Sequence, residues 1–205
     1  MTTDSLFEQL KHPNPNMRER AMVELAENYD EQTIARLMAN LDEEDLVYRR
    51  SSVKALGYIG HDSVPGLIER LHNSESQTEK ASCAKALTQV IVRHQDKPFP
   101  EAGIIALKQS IEDPSPVVNL SCVMALAEVG EPAVDILIDT LRSTENLAIS
   151  VAILNSLGSI DNEKVVAVLT EFSESSDVDA YLKESATSAL SRLELIKGYS
   201  RTKDS

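Results

Sequence analysis

A helical pattern of apolar positions recurs along the whole chain. Between Val47 and Gly60, apolar or small residues stand at positions i, i+4, i+7, i+8 and i+11, the spacing of one face of an α-helix. The same frame recurs at steps of 31, 31, 39, 31 and 33 residues. Six leucines, called the anchor leucines below, mark its copies: Leu25, Leu56, Leu87, Leu126, Leu157 and Leu190. Such a period is typical of a solenoid of stacked helical repeats.

A second helix completes each repeat. Its apolar residues are the last residue and those three, four and seven positions earlier, with the single charged exception of Lys108 in the third copy. The copies end at Leu41, Leu71, Ile111, Leu141 and Phe172. Leu6 and Leu10 fit the same frame, so the chain begins with a lone second-type helix and ends with a lone first-type helix. The pattern predicts eleven helices and no strand. We expect an all-α, right-handed α-solenoid of about five and a half helix pairs, with the second-type helices lining its concave face.

The regular period predicts one elongated domain over residues 1–196, followed by a flexible tail over residues 197–205. No apolar run approaches the roughly 18 residues of a membrane span, and the first residues do not resemble a signal peptide. We therefore expect a cytoplasmic protein without membrane insertion. The net charge of −13 repels phosphate backbones, and we expect no basic stripe outside the tail. Nucleic acid is therefore excluded as an expected partner.

The two cysteines are the first candidates for chemistry. Cys83 and Cys122 stand four residues before the anchor leucine in consecutive repeats. Packed helices lie about 8–10 Å apart, beyond the roughly 7 Å between Cα atoms that a disulfide allows. Neither a base nor a zinc-ligand spacing accompanies them. We expect two buried, unbridged and inert thiols.

A run of four acids, Asp42 to Asp45, precedes the helix that begins near Val47. A calcium loop needs alternating oxygen ligands around a central glycine, which this run lacks. Acids at the start of a helix instead stabilise its free amide groups and its dipole. We expect a helix cap here and no metal site.

Arg49 and Arg50 form the densest basic position of the chain. Arg49 shares its frame position with Arg18, Lys80 and Lys183, so we expect it to serve the repeat by bridging to acids in neighbouring turns. Arg50 is not periodic. It is therefore the better candidate for binding a carboxylate or phosphate from outside.

The third repeat contains about eight extra residues, in the run from Val92 to Pro100. Insertions in solenoids lie in loops on one edge, often where partners bind. Two interpretations are open: the insertion is a contact surface, or it is a spacer in which Phe99 only staples the next helix. The candidate contact residues are Arg93, His94, Asp96 and Phe99.

Polar residues just before the ends of the second-type helices differ from repeat to repeat, whereas the apolar frame between them is constant. A selective groove on a common scaffold requires this combination. We expect outward-facing, partner-binding side chains at these positions: Arg36, Asn40, Glu69, Arg70, Gln109 and Asp139.

The amino-acid sequences of the repeats resemble those of a known family. Units such as VYRRSSVKALGYIGHDSVPGLIERL and VVNLSCVMALAEVGEPAVDILIDTL are similar to the short HEAT-like repeats of the phycobilin lyase family, and the resemblance runs from Leu6 to Leu195. It implies a subunit or chaperone-like accessory factor that acts on phycobiliproteins in covalent bilin attachment. The partners it implies are a phycobiliprotein subunit and a second HEAT-like lyase subunit, with a linear tetrapyrrole bound only transiently. No catalytic residue follows from it, and whether the chain is itself an enzyme stays open.

The composition favours dependence on a partner. A bilin carries propionates and needs arginines beside a broad apolar surface, whereas this chain is acidic and has only five tyrosines and three phenylalanines. The alternative function is a non-enzymatic HEAT-repeat scaffold, including an adaptor of the phycobilisome-degradation type. The last helix, Tyr181 to Leu195, has no second-type helix after it, so we expect its apolar residues to be exposed as an interface. These residues are Leu182, Ala186, Leu190 and Leu193.

Overall fold

The computed structural model describes the backbone of residues 2–203 and the side chains of residues 2–196. Within these residues the chain forms twelve α-helices, three short 3-10 turns and no strand. The helices are α1 (Thr3–Gln9), α2 (Pro15–Glu27), α3 (Glu31–Ala39), α4 (Leu46–Ile59), α5 (Val64–Asn73), α6 (Gln77–Arg93), α7 (Glu101–Ser110), α8 (Pro116–Val129), α9 (Val134–Ser143), α10 (Leu147–Leu157), α11 (Glu163–Glu174) and α12 (Ala180–Lys203). The expected tail over residues 197–205 lies outside the residues whose side chains are described, and it stays a prediction.

The all-α repeat fold is confirmed, but the count of eleven helices is wrong by one. Six second-type helices alternate with six first-type helices. The second-type helices have the odd numbers, from α1 to α11, and the first-type helices have the even numbers, from α2 to α12. Second-type helices pack on the first-type helix that follows them, as in α1 with α2, α5 with α6 and α11 with α12. Among the described helices, α1 and α12 therefore each have a partner of the other type.

The anchor leucines form the centre of the core. Leu56, Leu87, Leu126 and Leu157 are completely buried, and Leu25 is nearly so. Successive first-type helices also pack on one another, as α2 does with α4 and α4 with α6. Burial of each anchor therefore depends on its own pair and on the neighbouring repeat.

First-type helices begin at a capping residue that lies eleven positions before the anchor leucine. Asp45, for example, accepts hydrogen bonds from the amides of Val47 and Tyr48, at 2.8 and 3.1 Å. The caps of this kind are Asn14, Asp45, Ser76, Asn146 and Asp179. The capping role expected of the acidic run is confirmed for Asp45. The period of the caps is a sequence signal that the apolar frame alone did not reveal.

The periodic basic residues serve the repeat. Arg49 donates to the backbone carbonyl of Glu43, and Arg18 and Lys183 likewise donate to carbonyls of the connection before their helix. Lys80 instead forms an ion pair, at 2.9 Å, with Asp113 in the connection before the next first-type helix. Arg49 thus serves its own repeat, but the expected bridge to an acid is wrong, because its acceptor is a backbone carbonyl.

Contacts within the chain cluster into two compact units, residues 1–125 and 126–205. The expected single domain over residues 1–196 and the right-handed sense of the superhelix stay predictions. Among the residues that the structure describes, no helix combines the length and the apolar character needed to cross a bilayer.

Candidate interaction surfaces

The two thiols are held inside the first unit. Cys83 and Cys122 are completely buried and unbridged, as expected from their frame position. Burial raises the pKa of each thiol to about 12. Because the thiolate is the reactive form of cysteine, neither side chain is suited to nucleophilic chemistry near neutral pH. Among the described side chains, no three His, Cys, Asp or Glu residues are placed to hold a metal ion together.

Glu79 lies eight residues before the anchor Leu87, at a position that is apolar in the other five repeats. Its carboxylate forms an ion pair with Arg70 and accepts a hydrogen bond from the hydroxyl of Ser74 at 2.6 Å. A carboxylate that is only 15% exposed needs such partners to offset its desolvation. Arg70 is therefore committed to a contact within the chain, and its role in binding a partner stays a prediction.

Two further groove candidates also have partners within the chain. Arg36 pairs with Asp4 at 2.6 Å, and its guanidinium lies 3.9 Å from the centroid of the Phe7 ring. The outward orientation expected for Asn40 is wrong. A 3-10 turn that begins at this residue turns its side chain inward, where it is buried and donates to the hydroxyl of Ser52 at 3.1 Å.

Glu69, Gln109 and Asp139 are exposed, as expected. Gln109 helps to line a pocket of about 370 Å³ beside His72 and Lys80. Glu69 and Gln109 belong to the first unit and Asp139 to the second. A shared groove that contains all three stays a prediction.

The insertion after α6 is fastened to the repeat before it. The Nε2 atom of His94 lies 3.0 Å from the carbonyl oxygen of Gly57. The His94 ring also covers Gly60, where an added Cβ would lie 2.6 Å from Nε2. Gly60 has a φ of +85°, a conformation that suits glycine and few other residues. His94 thus holds the start of the insertion against the end of α4.

The far end of the insertion is held by Phe99. Its ring covers Gly103 in the first turn of α7, where an added Cβ would lie 2.5 Å from the ring. The structure thus gives Phe99 the stapling contact of the spacer interpretation. Asp96 is exposed on the loop between the two fastened ends. A role of these residues in binding a partner stays a prediction.

Arg93 closes a chain of contacts across three first-type helices. Its guanidinium lies 3.7 Å from the centroid of the Tyr58 ring, and the hydroxyl of Tyr58 donates to the carboxylate of Glu19. Burial and the hydrogen bond to Glu19 raise the pKa of Tyr58, against the opposing charge of Arg93. Residues of α2, α4 and α6 are thereby connected on their outer side.

The surface of α4 and α6 corrects the expectation that no basic stripe lies outside the tail. These two helices hold six of the chain's twenty Lys and Arg residues but one of its thirty-three acids, Glu79. Arg50, Lys54 and Lys85 are exposed, and none of them takes part in the ion pairs of the described residues. Together with Arg93 they form what we call the basic face. The overall negative charge of the chain concealed the basic face. The absence of Asp and Glu from the sequence of α4 was a signal that could have revealed it.

The last helix is better covered than expected. Ala186 and Leu193 are buried, because α12 packs on α11 and α10, and Leu182 and Leu190 are half-buried. The expectation that these four residues are exposed is therefore wrong. Among the described side chains of α12, the exposed large apolar residues are Tyr181, Leu195 and Ile196.

The fold, with its paired helices and its periodic anchor leucines and caps, is that of a helical-repeat protein. Comparison with known proteins shows which family of helical repeats this is. The profile of HEAT repeats matches residues 3–88 and 104–191. The chain belongs to the HEAT-repeat family.

Two relatives narrow the family further. The uncharacterized phycocyanin operon protein Z of Pseudanabaena tenuis (strain PCC 7409) is 47% identical over 98% of this chain and 100% of its own length. The bilin biosynthesis protein CpeZ of Synechococcus sp. (strain WH8020) is 33% identical over 87% of this chain and 98% of its own.

A solved structure shares the fold. The complex of CpcE and CpcF of phycocyanin lyase from Nostoc sp. PCC7120 contains a chain that matches with a TM-score of 0.51 and 17% identity. The match covers 75% of this chain and 96% of that one. At this level of identity the likeness concerns the fold alone.

Proposed function

We propose that this chain is a subunit or chaperone-like accessory factor in covalent bilin attachment to phycobiliproteins, and that it works with a partner subunit. The observation that carries the proposal is the 47% identity, over nearly the full length of both chains, with a phycocyanin operon protein. The bilin biosynthesis protein that is 33% identical supports the same ligand class. Both alignments span almost the whole relative, so the repeats correspond along the chain.

The position of the thiols supports an accessory role for this chain. Bilin attachment joins a carbon of the tetrapyrrole to the sulfur of a cysteine on the acceptor protein. Cys83 and Cys122 are buried and their pKa values are raised to about 12, so they do not compete for the bilin. The chain's contribution is to bind and orient proteins, which is what HEAT-repeat surfaces do in general.

Dependence on a partner is supported by the way the two related lyase proteins are organised. The structure that shares the fold is a complex of two proteins, CpcE and CpcF. We propose an analogous pairing of this chain with a second HEAT-like subunit, in which the bilin is held only transiently. The exposed Tyr181, Leu195 and Ile196 of α12 offer an apolar area for such a contact.

Co-expression tests the proposal. A phycobiliprotein subunit and a bilin source are expressed alone, with this chain, with a longer HEAT-like partner, and with both. We expect covalently coloured phycobiliprotein to increase substantially only when both are present. Efficient attachment by this chain alone would contradict the dependence on a partner.

A non-enzymatic scaffold is the second candidate function. It is favoured by the basic face, a surface suited to contact with another protein and not to bond formation. If no pairing changes bilin attachment, bilin removal or the solubility of the phycobiliprotein, the scaffold is the better description and the proposed role in attachment is wrong.

A further inference from the structure

We infer that the basic face, formed by Arg50, Lys54, Lys85 and Arg93, docks an acidic surface of a folded protein partner. The inference rests on the proposed function only for the choice of one probe, a phycobiliprotein subunit. Its physical basis lies in the placement of charge on α4 and α6.

The packing of α4 on α6 brings the four bases together. An added Cβ on Gly57 would lie 2.3 Å from the Cβ of Gln89, so the two helices approach closely at this point. Lys54 and Lys85 each lie one turn before this contact on their own helix. Since Arg93, one turn after Gln89, covers Tyr58, the helices run in the same direction, and the two lysines come to the same level.

Arg50 lies one further turn before Lys54 and so extends the row along α4. The contact of Arg93 with Tyr58 fixes the opposite end. A guanidinium on an aromatic face keeps its N–H groups at the rim available for a carboxylate. The basic face therefore has two long flexible cations at its centre and an oriented guanidinium at one end.

Several exposed bases elsewhere in the described chain are paired with acids, whereas Lys97 and Lys108 are not. Arg36, Arg142 and Lys164 bind carboxylates at distances of 2.6 to 2.7 Å. On the basic face, none of Arg50, Lys54 and Lys85 takes part in the ion pairs of the described residues. The nearest acid in the contact chain, Glu19, is held by the hydroxyl of Tyr58. The positive charge is thus left for an external partner, although the chain as a whole carries −13.

Charge screening favours a compact acidic surface as the occupant. At physiological ionic strength the Debye length is about 8 Å, so a partner that touches this face experiences mainly its local positive charge. A nucleic acid is longer than the face and would bring its phosphates over the acidic remainder of the chain. A membrane surface would likewise extend beyond the face. Carboxylates clustered on a folded protein match both its size and its charge.

The experiment uses the full chain in three forms. The test variant is Lys54→Glu with Lys85→Glu. The control variant is Lys97→Glu with Lys108→Glu, two exposed lysines that contact no carboxylate among the described residues. Both variants shift the net charge by the same four units, so they separate a local effect from an overall one. Thermal unfolding of all three forms checks that the fold is retained, and Lys54→Arg with Lys85→Arg tests rescue by conserved charge.

The first probe is poly-L-glutamate, a pure source of carboxylates. We expect wild type, the control variant and the arginine variant to bind it with similar affinity, falling with added salt, and the test variant to bind at least about tenfold more weakly. Equal binding by the test variant and wild type, or no binding by wild type, would overturn the inference. Tighter binding of single-stranded RNA or of phosphatidylglycerol vesicles through the same two lysines would also overturn it.

The second probe is the phycobiliprotein subunit. If it binds wild type and the control variant but not the test variant, the partner of the basic face is identified. If poly-L-glutamate binds as expected and the phycobiliprotein binds none of the forms, the basic face stands and the proposed function loses support. If the phycobiliprotein binds the test variant as well as wild type, its docking lies elsewhere and the inference fails for this partner.

Discussion

The third repeat and the last repeat carry the same sequence frame with different results. The anchor Leu87 of α6 is completely buried, whereas the anchor Leu190 of α12 is half-buried. Each has a second-type helix before it, α5 or α11, and packs on it. Within the described residues, further repeats follow α6 and none follows α12. The frame therefore determines which side of a helix faces the core, and the next repeat determines how completely that side is covered.

The same contrast appears in the periodic basic residue. Lys80 reaches forward to Asp113, in the connection that precedes the next first-type helix. Lys183, at the corresponding position of the last repeat, donates back to the carbonyl of Ser175 at 3.3 Å. An interior repeat is thus tied to its neighbour by an ion pair, and the last repeat closes on itself.

The largest expected effect comes from truncating the two anchors. Leu87→Ala should lower the free energy of unfolding by about 3–5 kcal/mol, because it opens a cavity in a completely covered site. Leu190→Ala should cost about 1–2 kcal/mol, because its site is partly open to water. Urea-induced unfolding of both variants measures the difference. Equal losses would show that the last repeat is as well covered as the third.

The apolar frame of the sequence predicts the contrast between the third and the last repeat only in part. It located every anchor and predicted the burial of Cys83 and Cys122, because periodicity reports which face of a helix is covered. The frame led to the wrong expectation that the apolar frame residues of α12 are exposed. They are buried or half-buried because α12 packs on α10 and α11, and a pattern within one helix does not show which helices it packs on. Asn40 was misplaced for a local reason: the 3-10 turn that begins there rotates its side chain toward Ser52.

The candidate surfaces were harder to predict than the fold. Two of them depend on contacts between residues more than 30 positions apart, His94 with Gly57 and Arg93 with Tyr58. A frame that describes one helix at a time does not specify them. The basic face was missed for a related reason, because it is assembled from two helices whose common level is set by Gly57 and Gln89.

The next largest effect concerns two glycines at equivalent turns, Gly60 and Gly130. Both have positive φ, +85° and +75°, but the His94 ring covers Gly60 while nothing lies within 4 Å of a Cβ at Gly130. Each substitution by alanine should cost about 1–3 kcal/mol for the backbone conformation. Gly60→Ala should cost more, because it also displaces His94. The free energies of unfolding decide it, and an equal cost would mean that His94 moves aside freely.

A smaller effect is expected from the ion pair of the third repeat. Burial alone would raise the pKa of Asp113, but hydrogen bonds from Lys80 and the Ser115 amide, with the charge of Lys80, hold it below its usual value. The stabilisation is therefore fully present above the unfolded pKa and is lost as the pH falls through the folded pKa. Asp113→Asn should remove about 1–3 kcal/mol at neutral pH and flatten the acid side of the stability profile.

The control for this pair is Asp139→Asn, which replaces an exposed aspartate with no basic partner among the described residues. Its unfolding free energy should follow that of wild type within about 0.5 kcal/mol at every pH. A parallel fall for wild type and Asp113→Asn in acid would show that Asp113 does not contribute to the pH dependence.

The smallest effect is kinetic and concerns thiol labelling. Cys83 and Cys122 should react with an alkylating reagent only slowly until the chain is unfolded, because both are buried and their pKa values are raised to about 12. A cysteine placed at Leu190, in the less covered last repeat, should be labelled faster in the native protein. Rapid labelling of either native thiol would reopen a role for it in chemistry.

The central claim, that this HEAT-repeat chain assists bilin attachment together with a partner, is tested most directly by quantifying covalent bilin. Purified acceptor phycobiliprotein, free bilin and the HEAT-like partner are combined with increasing amounts of this chain. The fraction of acceptor that carries bilin is read after denaturation. We predict that this fraction rises with the chain until it matches the partner in amount, and stays near the uncatalysed level when the partner is omitted. The same fraction with and without the chain, at every amount of the chain that is added to the partner, would contradict the claim.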